Sequence, residues 1–322
     1  MSGNEKNYSF YPTCGIPTFL RAPLVTPENK LDEQPFSIGV LGVPFDLGAT
    51  FSPGSRFGPR GIREQSLRVA DQGYYDYRAK RGFLGEELAR HSILDFGDVD
   101  IVPCDIVGNI DRTTAAAKHI VDKGALLISF GGDHSVSYPL VRAFEGKPIH
   151  VIHFDSHPDY LPISPDYEYT NGHPMRQIRR LPFVKSLTQV GIRSIRDFGM
   201  IDSLKEGNRV ICMDEFRAIG PDGVAACIPE GEPCYVSIDI DAFDISLTPG
   251  CGSAEPDGLN YAEMRDTLAA IARHNEIVGF DFVEVAPPLD ITTNNTSYLA
   301  MLTIVEFLGK ICDQPYWKKR YE

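Results

Sequence analysis

Three short stretches of this chain set hard metal ligands at a spacing that puts them side by side. In Asp155-Ser156-His157-Pro158-Asp159 the two carboxylates and the imidazole alternate, and residues two apart in an extended chain point to the same side. Asp239 and Asp241 repeat that alternation after Tyr235-Val236-Ser237-Ile238, and Gly131-Gly132-Asp133-His134 offers another imidazole. Carboxylates at close range repel and would force one another to protonate unless a cation lies between them. Oxygen-rich ligation with a minority of imidazole suits Mn²⁺, and less commonly Ni²⁺, Co²⁺ or Fe²⁺. The chemistry expected of such a pair of ions is hydrolysis by an activated water.

Taken singly, each piece has an ordinary alternative, since a lone Asp-x-Asp at a strand end is often a turn or cap. What favours a metal centre is the coincidence of six hard ligands at three strand ends. His91, His119, His150, His153 and His274 read as ordinary core or surface histidines.

These ligands need strands to carry them. Ser37–Asp46, Ala125–Asp133, Ile149–Asp159, Tyr235–Asp244 and Glu276–Pro287 each begin as β-branched and aromatic runs and end in acid, His or Gly. Buried runs of this kind, separated by helix-length segments, predict an α/β protein with a parallel sheet and helices on both faces. In such sheets ligands bind beyond the carboxyl ends of the strands. Helices are expected over Asp111–Lys123, Tyr261–Arg273 and about Ser297–Ile311. Pro12, Pro17, Pro23, Pro27 and Pro35 mark residues 1–35 as an extended arm suited to packing on a neighbouring subunit, and 36–322 reads as one domain.

The bulk composition narrows the partners. With 31 Lys+Arg against 44 Asp+Glu the net charge is -13, which argues against nucleic acid and fits a cationic small molecule better. Seven scattered cysteines with no C-x-x-C pair indicate neither a zinc ribbon nor a disulfide framework. No signal peptide and no run of about 18 apolar residues is seen, so a cytoplasmic protein with no membrane partner is expected.

The motifs GGDHS (131–135), DSHPD (155–159), SIDIDAFD (237–244) and VEVAP (283–287), in this order, resemble the ureohydrolase family of arginases and agmatinases. The likeness runs from GVPFDLGATFSPGSRFGPRGIR (42–63) through GIRS (191–194) to the C-terminal helix. It implies a three-layer α/β/α domain and a homo-oligomer, trimer or hexamer, with a hetero-oligomer still open. It also implies two divalent ions per subunit, Mn²⁺ first, with Ni²⁺ or Co²⁺ as alternatives. One would take His134, Asp155, Asp159 and Asp239, the other Asp155, His157, Asp239 and Asp241. By the same resemblance Asp159 and His173 handle protons, Glu284 pairs with the guanidinium and Ser253 lies near the substrate.

The reaction so implied is cleavage of a guanidino C–N bond to urea and an amine. The loop YLPISPDYEYTNGHPMR (160–176), with Asp166 and Glu168, is closest to agmatinases and favours a cationic or neutral tail. Where relatives read D-P and then G-T-G-T-P, this chain has Asp244-Ile245 and Gly250-Cys251-Gly252-Ser253-Ala254, which suits free guanidine or a small alkylated guanidine. Arg176, Arg179 and Arg180 keep a carboxylate tail such as 4-guanidinobutyrate open, although a solvent-exposed basic helix face is their plainer reading. An amide hydrolase of the same fold, and a non-catalytic or partner-dependent subunit, remain alternatives of other kinds.

Overall fold

The computed structural model describes residues 12–69, 72–164 and 167–319. Ten strands occur along the described chain: β1 Ile38–Gly42, β2 Tyr74–Asp76, β3 Arg81–Phe83, β4 Ile93–Asp98, β5 Leu126–Phe130, β6 Ile149–Phe154, β7 Val184–Ile192, β8 Arg209–Cys212, β9 Pro233–Asp239 and β10 Glu276–Val283. Eight of them form one sheet in the order β4-β1-β5-β10-β9-β6-β7-β8, while β2 and β3 form a separate hairpin. Every pairing in the large sheet is parallel.

Parallel strands need crossovers, and the helices that supply them cover both faces. Gly58–Ser66, Met213–Ala225, Tyr261–His274 and Asn295–Cys312 pack together on one side with Phe216, Met264, Phe280 and Phe307. Ile106–Asp122, Ser137–Arg142 and Pro174–Arg179 cover the other with Ile120, Leu140 and Ile178. This is a single three-layer α/β/α domain. Among the described residues no helix is long and apolar enough to cross a membrane.

The three expected helices are present, at Ile106–Asp122, Tyr261–His274 and Asn295–Cys312. Ile106–Asp122 starts earlier than expected because the Asp105 side chain accepts the Gly108 amide and caps a first turn of Ile-Val-Gly. Asn260 and Glu263 form a reciprocal capping box that begins Tyr261–His274.

Part of the proline-marked N-terminal stretch packs into this chain's own core. Phe19, Leu20 and Ala22 are buried, and the Phe19 ring meets Phe130 edge-on at 5.0 Å. The Phe19 amide donates to Asp95 Oδ2 (2.8 Å), and Val25 donates to Asp95 O (2.7 Å). Burying one such phenylalanine contributes about 1.5–3 kcal/mol. Residues 1–11 of the expected arm lie outside the described residues.

Candidate metal centre

The four central strands of the sheet are neighbours in the order β5, β10, β9, β6, and their carboxyl ends carry the expected ligands. His134 follows β5, Glu284 follows β10, Asp239 ends β9 with Asp241 just beyond, and Asp155, His157 and Asp159 follow β6. The turn after β5 must pass close to the chain leaving β1. A Cβ at Gly132 would lie 1.6 Å from Phe45 O, so glycine alone fits there. Asp159 and Glu284 both adopt left-handed backbone, at φ 46° and 62°, an uncommon conformation for these residues that clusters at functional sites.

His134 Nδ1 faces three carboxylates at once: Asp155 Oδ2 at 3.0 Å, Asp159 Oδ2 at 3.1 Å and Asp239 Oδ2 at 3.0 Å. One ring nitrogen cannot hydrogen-bond all three. Its other nitrogen, Nε2, lies 2.9 Å from Ser237 Oγ, and Ser237 donates in turn to Asp281 Oδ1 (2.7 Å). That hydrogen bond draws the proton to Nε2 and leaves a lone pair on Nδ1 pointing at the three carboxylates. A cation between them would satisfy such an arrangement. The spacing fits, because neighbouring ligands about 2.1 Å from an octahedral ion stand ~3.0 Å apart.

The second half of the cluster is built alike. His157 Nδ1 lies 3.1 Å from Asp241 Oδ2 and 3.4 Å from Asp155 Oδ1, so Asp155 turns one oxygen to each imidazole. Backbone amides fix these acids: His157 N donates to Asp155 Oδ1 (2.5 Å), Asp241 N to Asp239 Oδ1 (2.8 Å) and Ser156 N to Asp241 Oδ1 (3.0 Å). Burial, then Asp241 and Asp155, push the Asp239 carboxyl well above its usual range, and burial with Asp155 raises Asp159. A bound cation would relieve that repulsion. The residues present therefore fit two divalent ions.

Glu284 is buried beside the cluster. Its Oε1 accepts the His134 amide (3.0 Å) and Asn171 Nδ2 (3.3 Å), and Oε2 has no hydrogen-bond partner among the described residues. Burial and the nearby Asp133 push its carboxyl up to about 8, so a cation in the pocket favours its ionised form. Ser253 donates to Asp241 Oδ2 (3.3 Å), which sets its hydroxyl at the ligands. His173 is buried, not a surface loop residue; its Nδ1 meets Thr170 Oγ1 (2.6 Å) and its Nε2 meets Pro162 O (3.2 Å).

Some expectations change. The strand position of His153 predicts an ordinary core residue, yet its Nε2 lies 2.8 Å from Asp155 Oδ2, within the cluster. The signal was available, since His153 and Asp155 are two apart on one strand. Cys251 brings its thiol within 4.8 Å of ligand oxygens of Asp239 and Asp241. Arg176 is buried rather than part of a solvated basic face: it binds Asp202 (2.7 Å), Glu206 (3.3 Å) and Tyr160 O (2.9 Å). Arg179 donates to Asn208 (2.9 Å), and Arg180 alone of the three is exposed. Glu168 is exposed on its loop, and Asp166 lies outside the described residues.

The chain is similar to proteins already known. Residues 36–309 match the model of the Arginase family. The guanidinopropionase of Pseudomonas aeruginosa is 32% identical over 290 residues, which is 86% of this chain and 86% of that protein. The agmatinase of Bacillus anthracis is 31% identical over 259 residues, 78% of this chain and 84% of that one. Among solved structures, the proclavaminate amidino hydrolase of Streptomyces clavuligerus superposes with a TM-score of 0.79 at 30% identity, covering 94% of this chain and 98% of its own. With its buried cluster of His and Asp side chains at the ends of β5, β9 and β6, this chain belongs to the Arginase family, the metal-dependent hydrolases that act on guanidino groups.

Proposed function

We propose that this chain cleaves the guanidino group of a substrate with a cationic or neutral tail, an agmatine-type compound, releasing urea and an amine. The observation that carries the choice of tail is the inward engagement of Arg176 and Arg179. Bound to Asp202, Glu206 and Asn208, they are engaged in holding the helix Pro174–Arg179, so that of the three arginines only Arg180 stays exposed to meet a carboxylate tail. Arg193 is likewise taken up by backbone carbonyls, including Asp241 O (2.8 Å) and Glu255 O (2.9 Å). Glu255, 3.9 Å from His157 Nε2, adds negative charge beside the cluster.

His134, Asp155, Asp159 and Asp239 would hold one ion, and Asp155, His157, Asp239 and Asp241 the other, Mn²⁺ being the ion that this oxygen-rich set suits. Two such ions supply a water activated for attack on the guanidinium carbon and charge to stabilise the tetrahedral adduct. Glu284 orients the guanidinium by accepting its N–H groups, with Oε1 already anchored by His134 and Asn171. Asp159 would take the proton released on attack and pass it to His173, which would hand it on to the leaving amine. Ser253 extends the polar wall next to Asp241.

The test is a urea-release screen over agmatine, arginine, 4-guanidinobutyrate, guanidine and 1,1-dimethylguanidine, repeated with Mn²⁺, Ni²⁺ and Co²⁺. Agmatine should give the highest kcat/KM. A preference for guanidinobutyrate or for free guanidine overturns the assignment of the tail while leaving the reaction intact.

A further inference from the structure

Behind the ligand cluster runs a series of buried side chains whose hydrogen bonds all point one way. Half-buried Arg179 donates from Nε to Asn208 Oδ1 (2.9 Å), Asn208 Nδ2 donates to Ser203 Oγ (3.1 Å), and Ser203 donates to Gln189 Oε1 (2.6 Å). Gln189 Nε2 then faces both Pro158 O (2.6 Å) and His153 Nδ1 (3.0 Å). Ser203, Gln189, His153 and Asp155 are all 0% exposed, so water does not compete for these bonds.

The direction is fixed at both ends. A guanidinium only donates and a backbone carbonyl only accepts, so the Gln189 nitrogen must be the atom that faces Pro158. One of its hydrogens goes to Pro158 O and the other to His153 Nδ1. That makes Nδ1 an acceptor and puts the ring proton on Nε2, 2.8 Å from Asp155 Oδ2. The pairing is built into the sheet, where β6 and β7 bring His153 opposite Gln189. Slipping the register by one residue would turn Gln189 to the other face.

The two oxygens of Asp155 are not equivalent. Oδ2 is turned to His134 Nδ1, and Oδ1 to His157 and its amide. We propose that His153 is a positioning residue for the His134 side of the cluster: its Nε2–H holds Asp155 Oδ2, and Gln189 keeps His153 in the tautomer able to do so. This rests on reading the cluster as a metal centre. A donor behind a ligating carboxylate fixes its rotamer and shares its charge, and loss of such a partner typically costs 10–100-fold in metal affinity. The expected effect is confined to one of the two ions.

The test titrates metal-stripped full-length chain with Mn²⁺ against a chelating dye, with a thermal melt of each apo-protein as the control for folding. His153→Leu should weaken one class of ion about 10–100-fold and leave the other unchanged. His153→Gln, which can present an N–H in the same place, should restore most of that affinity. Gln189→Leu should weaken the same class in the wild-type background and cost little further in either His153 variant. If His153→Leu does not fold, the comparison of Gln189→Leu in the wild-type and His153→Gln backgrounds decides alone. Wild-type affinity in His153→Leu overturns the proposal, as does an equal cost of Gln189→Leu in every background, which would mean Gln189 acts through Pro158. A wild-type chain that binds no Mn²⁺ removes the metal-centre reading itself.

Discussion

The backbone amide of His134 donates to Glu284 Oε1 over 3.0 Å, joining the end of β5 to the end of β10 directly at the cluster. A ligand and the carboxylate proposed to grip the guanidinium are thereby held in one rigid relation. Glu284→Gln keeps an oxygen for that amide but turns an N–H toward the substrate. The loss of a charge-assisted bond, about 1.5–3 kcal/mol, should raise KM roughly 10- to 100-fold. Steady-state urea release checks this, and unchanged kinetics would take Glu284 out of the site.

Asp241 serves His157 on one oxygen and the Ser156 amide on the other. Asp241→Ala should therefore lose one ion per chain and all detectable urea formation. Orphaning a buried amide costs about 1–3 kcal/mol, which leaves the chain folded. Metal content and circular dichroism on the same preparation separate the two effects. Retained turnover would sink the two-ion assignment.

Burial holds the His173 imidazole below its ordinary value of 6.5, so the ring is neutral near pH 7. Replacing it with Gln should lower kcat by about 10²-fold or more, the usual contribution of a proton-transfer group, with little change in KM. A change confined to KM would make it a binding residue.

Arg63 is buried against Asp95, with two bonds of 2.9 Å, and reaches Asp98 at 2.5 Å. Because Asp95 also holds the Phe19 amide, Arg63→Met should free the segment around Arg21 as well as destabilise the domain by about 3–5 kcal/mol. Trypsin cleavage at Arg21 reads the first effect. Urea denaturation reads the second as a lower midpoint.

Asp46 gives a dependence on pH with a definite sign. Burial raises its carboxyl, but Arg56 and the Gly54 and Arg56 amides outweigh that and hold it below the ordinary 3.8. A depressed acid stabilises the fold above its unfolded value and loses that contribution as pH falls through the folded value. Wild type should thus exceed Asp46→Asn in stability from about pH 5 upward, by about 1 kcal/mol since Arg56 is 44% exposed, with the gap closing below pH 3.8. Thermal melts at pH 3, 5 and 7 measure it. A gap that widens in acid would contradict the pairing.

How much of this was legible in the sequence depends on the range of the cause. The candidate ligands at 134, 155, 157, 159, 239 and 241 show themselves because a two-residue alternation at a strand end is a local pattern. Strands β1, β5, β6, β9 and β10 stand out as apolar runs for the same reason. β4, β7 and β8 do not: β4 contains Asp95 and Asp98, β7 is interrupted by Lys185, Ser186 and Gln189, and β8 has only four residues. Gln189 matters because β7 lies beside β6, and Asn171 because its loop folds back onto Glu284; neither neighbour is near in sequence. Arg176 looks like half of a basic face until the helix Met200–Lys205 brings Asp202 to meet it. An acid inside the run Phe280-Asp281-Phe282 was a readable sign of a buried partner, here Ser237 behind His134.

Among the described strands β10 comes last in sequence, and it lies in the middle of the sheet. Until residues 276–283 leave the ribosome, the strands can form only two separate ribbons, β4-β1-β5 and β9-β6-β7-β8. His134 is on the first ribbon and the other five candidate ligands are on the second. Each ribbon would show an open, apolar edge of the kind that aggregates, and joining them requires Gly279 to find Leu127 far back in the chain, a slow search. Insertion of that strand closes the seam and completes the cluster in the same event. A chain cut short before it would keep His134 apart from the other five candidate ligands, and should bind fewer ions than the full chain.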